Sequence, residues 1–442
     1  MDDEEDHCNF VVDTLEDAGC LVCLYGKVDV GAGVIEAPGQ ENATVPGFHG
    51  GPTLSITGRS ADIRRPTKPD PINITNDSNN HVHEEDWLKT KECMEWFDEK
   101  HSSSWMLYCS VNIPHPAFAT NATWLESVHE DLINIPTWIP KDKFHPADSY
   151  MSQSKDVWRE FTDAEILAVR KTYYAMCVET DYLLGRVIDK ANATGHLENT
   201  FVIYVSDHGE MNMEHRQVWK NSMYEASARV PMIIAGPGVP AGRRVSNLTS
   251  LLDLYPTMVD IVGGEKPDWL DGHSLAPFLS SASSPAGSNF AKHFAVRNGV
   301  GTYPFDRAVI AQYHSNMGNT GSFMVRWGPW KYIAYGRTLK RFADYTPQLF
   351  HVASDPEELT DFADTAQGKI IAKMLDTKLR AVVDYPKVDK MVIKNDAEIY
   401  QRWFLDKIGE SATRAHWEQT YRGFDDDDWK KVTAWYKEVS TL

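Results

Sequence analysis

The sequence predicts an α/β protein with a doubly wound, mostly parallel sheet and a smaller C-terminal α+β subdomain. The main observation is a unit of helix, short apolar run and polar loop that recurs along the first half of the chain. The second is a change of pattern further on, where a linker precedes a hairpin pattern and aromatic-rich helices. Alternating helices and apolar strands favour parallel crossover connections. The 442 residues, 42% of them hydrophobic, can bury one large core and a smaller one.

The first two units place basic side chains after predicted strands. NFVVDTLEDAG predicts a short helix that ends at Gly19, CLVCLY predicts a strand, and Lys27 follows that strand. EEDWLKTKECMEWFDEK then predicts a helix, and WMLYCSV predicts a buried strand. The next loop holds His115 between Pro114 and Pro116. Because proline restricts φ, we expect this loop to be stiff.

The third unit has the clearest helical pattern. Thr162 and Glu165 form a capping box, and the helix should end near Gly195. Apolar residues at helical spacing predict a buried face of Ile166, Val169, Tyr173, Cys177, Leu184 and Ile188. FVIYV then predicts a strand that is buried on both faces, and Asp207 and His208 follow it.

The remaining chain predicts the end of the large domain and a second one. PMIIA predicts another short strand, and SLLDLYPTMVDIVG predicts a closing helix with a kink at Pro256. SSASSPAGS has the composition of a linker, which predicts domains at 1–280 and 286–442. FMVRWGPWKYIAY predicts a hairpin that turns at Gly328-Pro329.

Charge and cysteine content exclude some classes of partner. The formal net charge of -19 argues against a nucleic acid or an anionic membrane surface as the main partner. No apolar run reaches the roughly 18 residues that a membrane span needs. The aspartate run from Asp425 to Asp428 predicts a solvated acidic turn. Cys20 and Cys23 form a C-x-x-C pattern without further zinc ligands at suitable spacing, which favours core cysteines over a metal or redox site.

Two features give opposing indications of compartment. Six Asn-x-Ser/Thr triplets indicate a glycosylated, lumenal protein, although such triplets also arise by chance. The triplets begin at Asn42, Asn73, Asn76, Asn121, Asn192 and Asn247. The opening residues, MDDEEDHC, lack the basic start and apolar core of a secretory signal. We expect a segment missing before Met1 to reconcile the two.

The loops that follow the predicted strands form the candidate site. Sites in doubly wound sheets lie beyond the carboxyl ends of the strands, where Lys27, His115 and Asp207-His208 are expected. Asp207 offers hard oxygen to Ca²⁺ or Mg²⁺, or alternatively caps the strand end. His208 offers nitrogen to a softer ion or a proton to an anion. Lys27 and Lys220 would supply positive charge for an anionic ester, although these lysines and His115 also fit ordinary surface positions.

The longest recognisable motif lies around these residues. SDHGEMNMEHRQVWKNSMYEASARVPMIIAGPGV resembles the C-terminal block of the sulfatase family, in which S-D-H-G-E precedes a lysine and then Y-E-x-x-x-R-V-P. GKVD, NIPHPAF, SLLDLYPTMVDIVG and LFHVASDPEELTDFA resemble further sulfatase segments. YYAMCVETD, MEHRQVWKNSMYEASARVP and WKYIAY resemble one particular branch of that family.

The resemblance implies an alkaline phosphatase-like fold and a set of roles. Asp207 and His208 would bind one calcium ion. Lys27, His115 and Lys220 would be catalytic and contact the substrate sulfate or the hydrated formylglycine nucleophile. Many sulfatases have histidine two residues after the lysine of the G-K loop, and this chain has Asp29 there. His215 and Glu210 fit supporting or structural roles.

The chain departs from the family at its front. No C-x-P-S-R motif, whose cysteine becomes formylglycine, is present in the 442 residues, and Asp2-Asp3 follows no strand that could present it to calcium. LSITGRS resembles the tail of that signature but has no Cys or Ser at the required place. We therefore expect a chain that lacks its first strands and its nucleophile.

Three functions follow from this interpretation. The first is a lysosomal or secreted sulfuric ester hydrolase that acts on a sulfated uronic acid of a glycosaminoglycan. The second is a phosphohydrolase of the wider superfamily, which would need two zinc ions and more Asp and His ligands than the sequence offers. The third is a catalytically inactive fragment, or a binder of sulfated glycans.

Overall fold

The computed structural model describes residues 11–25, 62–66, 75–76, 81–101, 104–279, 306–314 and 318–442. The α-helices and strands before residue 280 are, in chain order, α1 (Val11–Asp17), β1 (Cys20–Tyr25), β2 (Thr75–Asn76), α2 (Glu84–Trp96), β3 (Ser104–Cys109), β4 (Ala119–Thr120), α3 (Ala122–Glu126), α4 (Pro146–Ser154), α5 (Asp163–Ala193), β5 (Val202–Val205), α6 (Glu225–Ala228), β6 (Met232–Ala235), α7 (Leu254–Val262) and α8 (Ala276–Leu279).

The later chain begins with strands and ends with helices. They are β7 (Val309–Tyr313), β8 (Ser322–Trp327), β9 (Trp330–Tyr335), β10 (Gln348–His351), α9 (Ala366–Arg380), α10 (Tyr385–Ile399), α11 (Glu410–Thr420) and α12 (Asp426–Val439). This order confirms the predicted α/β class and the helix-rich C-terminal part. The predicted linker, 280–288, lies outside the described residues, so the domain boundary stays a prediction.

Strand pairing differs between the two parts of the chain. β1 and β3 are parallel and in register from Cys20 opposite Ser104 to Tyr25 opposite Cys109, as the repeated units predict. β6 is a strand, as predicted, but it runs antiparallel to β5. The later strands form a four-stranded antiparallel sheet in the order β10-β9-β8-β7, and the predicted hairpin turns at Gly328, whose φ is 51°.

The long helix α5 is confirmed, but its buried face is shifted. Thr162 and Glu165 form the predicted capping box. Ile166 and Val169 are buried as expected, whereas Ile188 is exposed and Tyr173, Cys177 and Leu184 are half-buried. The buried apolar positions further along include Met176, Leu183 and Val187. Glu179 also lies on the buried face, where it accepts a hydrogen bond from Trp87 of α2 at 2.8 Å. The spacing of apolar residues alone does not register such a buried polar residue.

The strand β5 is less covered than its composition predicts. FVIYV was expected to be buried on both faces, but Tyr204 is 38% exposed. On its neighbour β6, Ile233 is 61% exposed. The prediction is therefore wrong for this strand, because an apolar run does not specify how many of its faces other elements cover.

Two local predictions in the later chain are also wrong, because each of the two motifs lies at the start of a helix. A 3₁₀ turn, Leu251–Asp253, leads into α7 at Leu254, so Pro256 lies in the first helical turn, where no amide hydrogen bond is lost. The aspartate run is the start of α12 and not a free turn. Asp425 caps the helix by accepting from the amides of Asp427 and Asp428.

The final helix also holds an early segment of the chain. Arg65 donates to the carboxylates of Asp425 at 2.6 Å and Asp428 at 2.9 Å. The amide of Arg422 donates to the carbonyl of Pro66 at 2.9 Å. Ile63 packs in the core cluster that contains Trp417 and Trp435. Residues 62–66 therefore belong to the core of the C-terminal part.

The cysteines of the described chain carry free thiols. Cys20 and Cys93 are buried, and Cys23, Cys109 and Cys177 are half-buried among apolar side chains. Burial raises the pKa of Cys20 and Cys23. Cys8 lies outside the described residues. A search of the described helices finds none that is long and apolar enough to cross a membrane.

Candidate active site

Two of the predicted site residues are in direct contact. The Nζ atom of Lys220 lies 2.8 Å from Nε2 of His115, although the residues are 105 positions apart in sequence. Nδ1 of His115 lies 2.6 Å from the carbonyl oxygen of Pro116. Since a carbonyl only accepts, Nδ1 carries a proton, and Nε2 is then the acceptor of the hydrogen bond from the Lys220 ammonium. The contact therefore fixes one tautomer of the imidazole.

The loop of His115 is held by a buried carboxylate that the sequence analysis missed. Asp86, in the first turn of α2, accepts from the amides of Asn112 at 2.7 Å and Ile113 at 3.0 Å. Burial raises the pKa of Asp86, while these two amides act in the opposite direction. Charge-assisted bonds to two successive amides fix the start of the loop. Helical spacing alone gives no signal for this contact, which spans 26 residues.

The loop of Lys220 is built around Glu210. Its carboxylate accepts from the amide of Asn212 at 3.0 Å and from the amide of Trp219. Burial raises the pKa of Glu210. Non-glycine residues on both sides of Lys220 have left-handed backbones, with φ of 66° at Trp219 and 83° at Asn221. A supporting role for Glu210 thus agrees with its contacts.

His215, the other residue expected to have a supporting or structural role, lies in the same loop between β5 and α6. Its ring stacks on Tyr224 with centroids 3.7 Å apart, and Nε2 lies 2.9 Å from the carbonyl oxygen of Glu357. Burial lowers the pKa of His215 to about 4. These contacts join the loop to the C-terminal part and indicate a structural role.

Asp207 and His208 follow β5 directly, as predicted. Oδ1 of Asp207 accepts from the amide of His208 at 2.9 Å, which is the capping contact considered as an alternative. Nδ1 of His208 lies 2.8 Å from the carbonyl oxygen of Gly209, so it bears a proton. Nε2 lies 3.3 Å from Oδ2 of Asp207. Two lone pairs would face each other there unless a second proton or a cation lies between them.

This geometry suits part of a cation site. The side chain of Asp207 is 76% exposed and presents carboxylate oxygen, the ligand that Ca²⁺ prefers. Ca²⁺ takes about six to eight oxygen ligands, more than this pair supplies. Within the described ranges, no group of three or more His, Cys, Asp or Glu side chains could hold a metal ion. The pair is thus compatible with calcium as two ligands of a larger set.

The remaining predicted residue, Lys27, lies outside the described residues, as do Asp29, Asp2-Asp3 and the LSITGRS segment. The sheet edge at which Lys27 is expected is nevertheless defined by the described residues at the ends of β1 and β3. Tyr25 at the end of β1 lies opposite Cys109 at the end of β3, and the amide of Ser110 donates to the carbonyl of Tyr25 at 2.9 Å. The chain therefore leaves β1 and β3 at the same edge, and the loop of His115 begins there.

Comparison with known proteins gives matches along most of the chain. The family profile described as Sulfatase matches residues 52–264, and the profile described as N-sulphoglucosamine sulphohydrolase, C-terminal, matches residues 213–384. Arylsulfatase K of Homo sapiens is 37% identical over 395 residues, covering 85% of this chain and 69% of that protein. Arylsulfatase K of Bos taurus is 35% identical over 422 residues, covering 90% and 72%. Arylsulfatase K is the branch of the sulfatase family that the segment YYAMCVETD resembles.

Solved structures resemble the chain in fold. The phosphonate monoester hydrolase of Agrobacterium radiobacter superposes with a TM-score of 0.62 at 20% identity, covering 84% of this chain and 79% of that one. A 2-O GAG sulfatase gives 0.54 at 20% identity, covering 90% and 76%. A protein in complex with its substrate D-glucosamine-2-N,6-O-disulfate gives 0.52 at 18% identity, covering 68% and 69%. These likenesses confirm the alkaline phosphatase-like fold.

Proposed function

This chain belongs to the sulfatase family of sulfuric ester hydrolases, and from that premise we propose that Lys220 and His115 bind and activate the sulfate ester of a carbohydrate. The observation that carries the proposal is the contact between Lys220 Nζ and His115 Nε2 at 2.8 Å. A sulfate ester needs fixed positive charge, because negative charge moves onto the leaving oxygen as the S–O bond breaks. Lys220 supplies that charge.

The pair also suits proton transfer. Lys220 donates toward the imidazole, whose other nitrogen is anchored on Pro116. The Lys220 ammonium is therefore the proton donor of the pair. It would protonate the leaving oxygen as the S–O bond breaks and become a neutral amine, while His115 holds it in place through Nε2. Lys27, which follows β1, would add a second positive charge at the same edge of the sheet.

Calcium and formylglycine would complete this chemistry. Asp207 and His208 would hold the ion, which neutralises sulfate oxygens when bound. Formylglycine hydrate would provide the attacking oxygen, and the 442 residues contain no C-x-P-S-R motif from which it could form. The residues of this chain would therefore bind the ester, orient it and supply the proton.

The substrate we propose is a sulfated uronic acid of a glycosaminoglycan, handled in the lysosome or outside the cell. Human arylsulfatase K as a relative and a 2-O GAG sulfatase among the structural neighbours support this class. The Asn-x-Ser/Thr triplets differ in exposure, and so in how far they support a lumenal location. Asn192 is exposed, whereas Asn121 is buried and caps α3 through its side chain, so we do not expect a glycan on Asn121.

The direct test is binding by calorimetry with calcium present, using a 2-O-sulfated uronic acid disaccharide and its desulfated counterpart. We expect the sulfated sugar to bind at least about tenfold more tightly, and Lys220→Met to abolish the difference. Lys394→Met is the matched control, because its side chain is 72% exposed on α10 and it removes the same charge. Equal affinity for the two sugars would contradict the proposal.

A second candidate function is a catalytically inactive binder of sulfated glycans. The observation that favours it is that no C-x-P-S-R motif occurs in these 442 residues. Sulfate release from the same disaccharide separates the two functions. Tight binding without release of sulfate supports the binder, whereas turnover supports the hydrolase. Metal analysis tests the superfamily alternative, since a phosphohydrolase would retain two zinc ions and a sulfatase one calcium.

A further inference from the structure

A second lysine lies beneath the backbone of Lys220. Lys155 follows α4 as its C-terminal cap and is fully buried. Its Nζ donates to the carbonyl of Val218 at 2.7 Å and to the carbonyl of Lys220 at 2.5 Å. Desolvation makes a buried ammonium group costly, so its two short contacts with backbone oxygens carry a large part of the compensation.

The opposite side of the same segment is held by negative charge. The amide of Trp219, between the two carbonyls, donates to the carboxylate of Glu210. Burial lowers the pKa of Lys155, while attraction to Glu210 acts against that shift. The Trp219 backbone is left-handed, which is unfavourable for a large L-residue. A buried cation on the carbonyl side and a buried anion on the amide side together stabilise it.

We propose that Lys155 is a positioning residue for Lys220. It fixes the carbonyls of Val218 and Lys220, and so sets the direction in which the Lys220 side chain leaves the loop toward His115. The relevance to sulfate binding rests on the proposed function, whereas the effect on the contact between Lys220 and His115 does not. Misplacement of a reactive group by about 1 Å can lower a rate by about 100-fold, so a fixed backbone is an advantage here.

The first measurement is the NMR signal of the His115 imidazole nitrogens in the full chain. We expect Lys155→Met to move the Nε2 signal in the same direction as Lys220→Met, because both changes remove the Lys220 cation from that nitrogen. Lys155→Gln, which keeps an uncharged N–H donor group, should move it by a smaller amount. This second variant keeps the test valid if the methionine variant does not fold.

The matched control is Asp148→Asn. Asp148 is also buried on α4 and bonds to the same loop, but through the side chains of Gln217 at 3.2 Å and Tyr224 at 2.8 Å. We expect this control to alter stability without moving the His115 signal. An unmoved signal in a folded Lys155 variant, or an equal shift in Asp148→Asn, would overturn the proposal.

The second measurement is a double-mutant cycle on the affinity for the 2-O-sulfated disaccharide. If Lys155 acts through Lys220, each single methionine variant loses affinity and the double variant loses no more than Lys220→Met alone. Full additivity would show an independent role and overturn the proposal. If the unmodified chain does not bind the sulfated sugar, the proposed function fails, and the NMR experiment still decides whether Lys155 positions Lys220.

Discussion

The strand pair β5–β6 and the C-terminal sheet β7–β10 are both built from apolar-rich segments and differ in their surroundings. FVIYV and PMIIA contribute Tyr204 and Ile233, which are substantially exposed. WKYIAY and QLFH contribute strands in which nearly every residue is buried. The C-terminal sheet is covered on one face by α9 and by the core cluster around Trp417 on the other. Apolar composition therefore predicts a strand, whereas the number of covered faces depends on distant parts of the chain.

The largest difference between the two sheets should come from a buried charge. Lys331 of β9 is fully buried between Glu225 at 2.7 Å and Glu358 at 2.8 Å, and donates to the carbonyl of Met223 at 2.9 Å. Lys331→Met leaves the buried Glu358 without its cation and Glu225 with only Arg326, at 3.9 Å, and should lower the free energy of unfolding by about 4 kcal/mol. Urea denaturation at neutral pH measures this loss.

The double variant Lys331→Met, Glu358→Gln is the control for that experiment. It removes the buried negative charge together with the positive one, so part of the lost stability should return. A double variant that is less stable than the single one would contradict the account of an uncompensated buried charge.

A cavity in the C-terminal sheet should have the next largest effect. Leu349 of β10 is completely buried in the cluster that contains Phe323, Leu375 and Leu379. Leu349→Ala should cost about 3.5 kcal/mol through lost apolar contact and an unfilled cavity. Thermal unfolding followed by circular dichroism will show the loss as a lower midpoint. A loss below about 1 kcal/mol would mean that this sheet is as weakly packed as β5–β6.

The junction between the two parts should be sensitive to acid. The pKa of His215 is about 4 in the folded chain because the ring is buried, and an unfolded histidine titrates near 6.5. The unfolded state therefore binds a proton first as the pH falls. The stability due to the neutral ring is complete above pH 6.5 and is lost as the pH falls toward 4, by about 3 kcal/mol in total.

Denaturation of the parent chain and of His215→Gln at pH 7 and pH 4.5 tests this linkage. The glutamine variant should lose less stability on acidification than the parent, because it has no ring to protonate. Equal losses in both chains would exclude His215 as the acid-sensitive group.

The smallest effect should be found on β6. Ile233→Thr changes an exposed side chain in a strand and should alter the free energy of unfolding by less than about 0.5 kcal/mol. It is the partner experiment to Leu349→Ala, since both remove apolar atoms from a strand. A loss as large as that of Leu349→Ala would show that this face is covered in solution.

Sequence reasoning identified local elements well and their partners poorly. The capping box of α5, the hairpin at Gly328 and the strands β1 and β3 follow from residue types within a few positions of each other. His115 was indicated by its place after a predicted strand, and both His115 and Lys220 by motif resemblance. Their contact agrees with a shared site.

The supports of the site could not be found in this way. Asp86 and Lys155 hold backbone atoms 26 and 65 positions away. Backbone acceptors and donors have no residue signature, so nothing in the sequence near Val218 indicates that a lysine will bind its carbonyl. The buried Glu179 of α5 is a similar case, because its hydrogen-bond partner Trp87 lies 92 positions away on another helix.

The contact between Arg65 and the start of α12 has a consequence for biosynthesis. The two partners Arg65 and Asp428 are separated by 363 positions. Synthesis starts at the N-terminus, so residues 62–66 must wait, with Ile63 uncovered, until the intervening chain has been joined and α12 has left the ribosome. The nascent chain therefore depends on protection of this early segment during that interval.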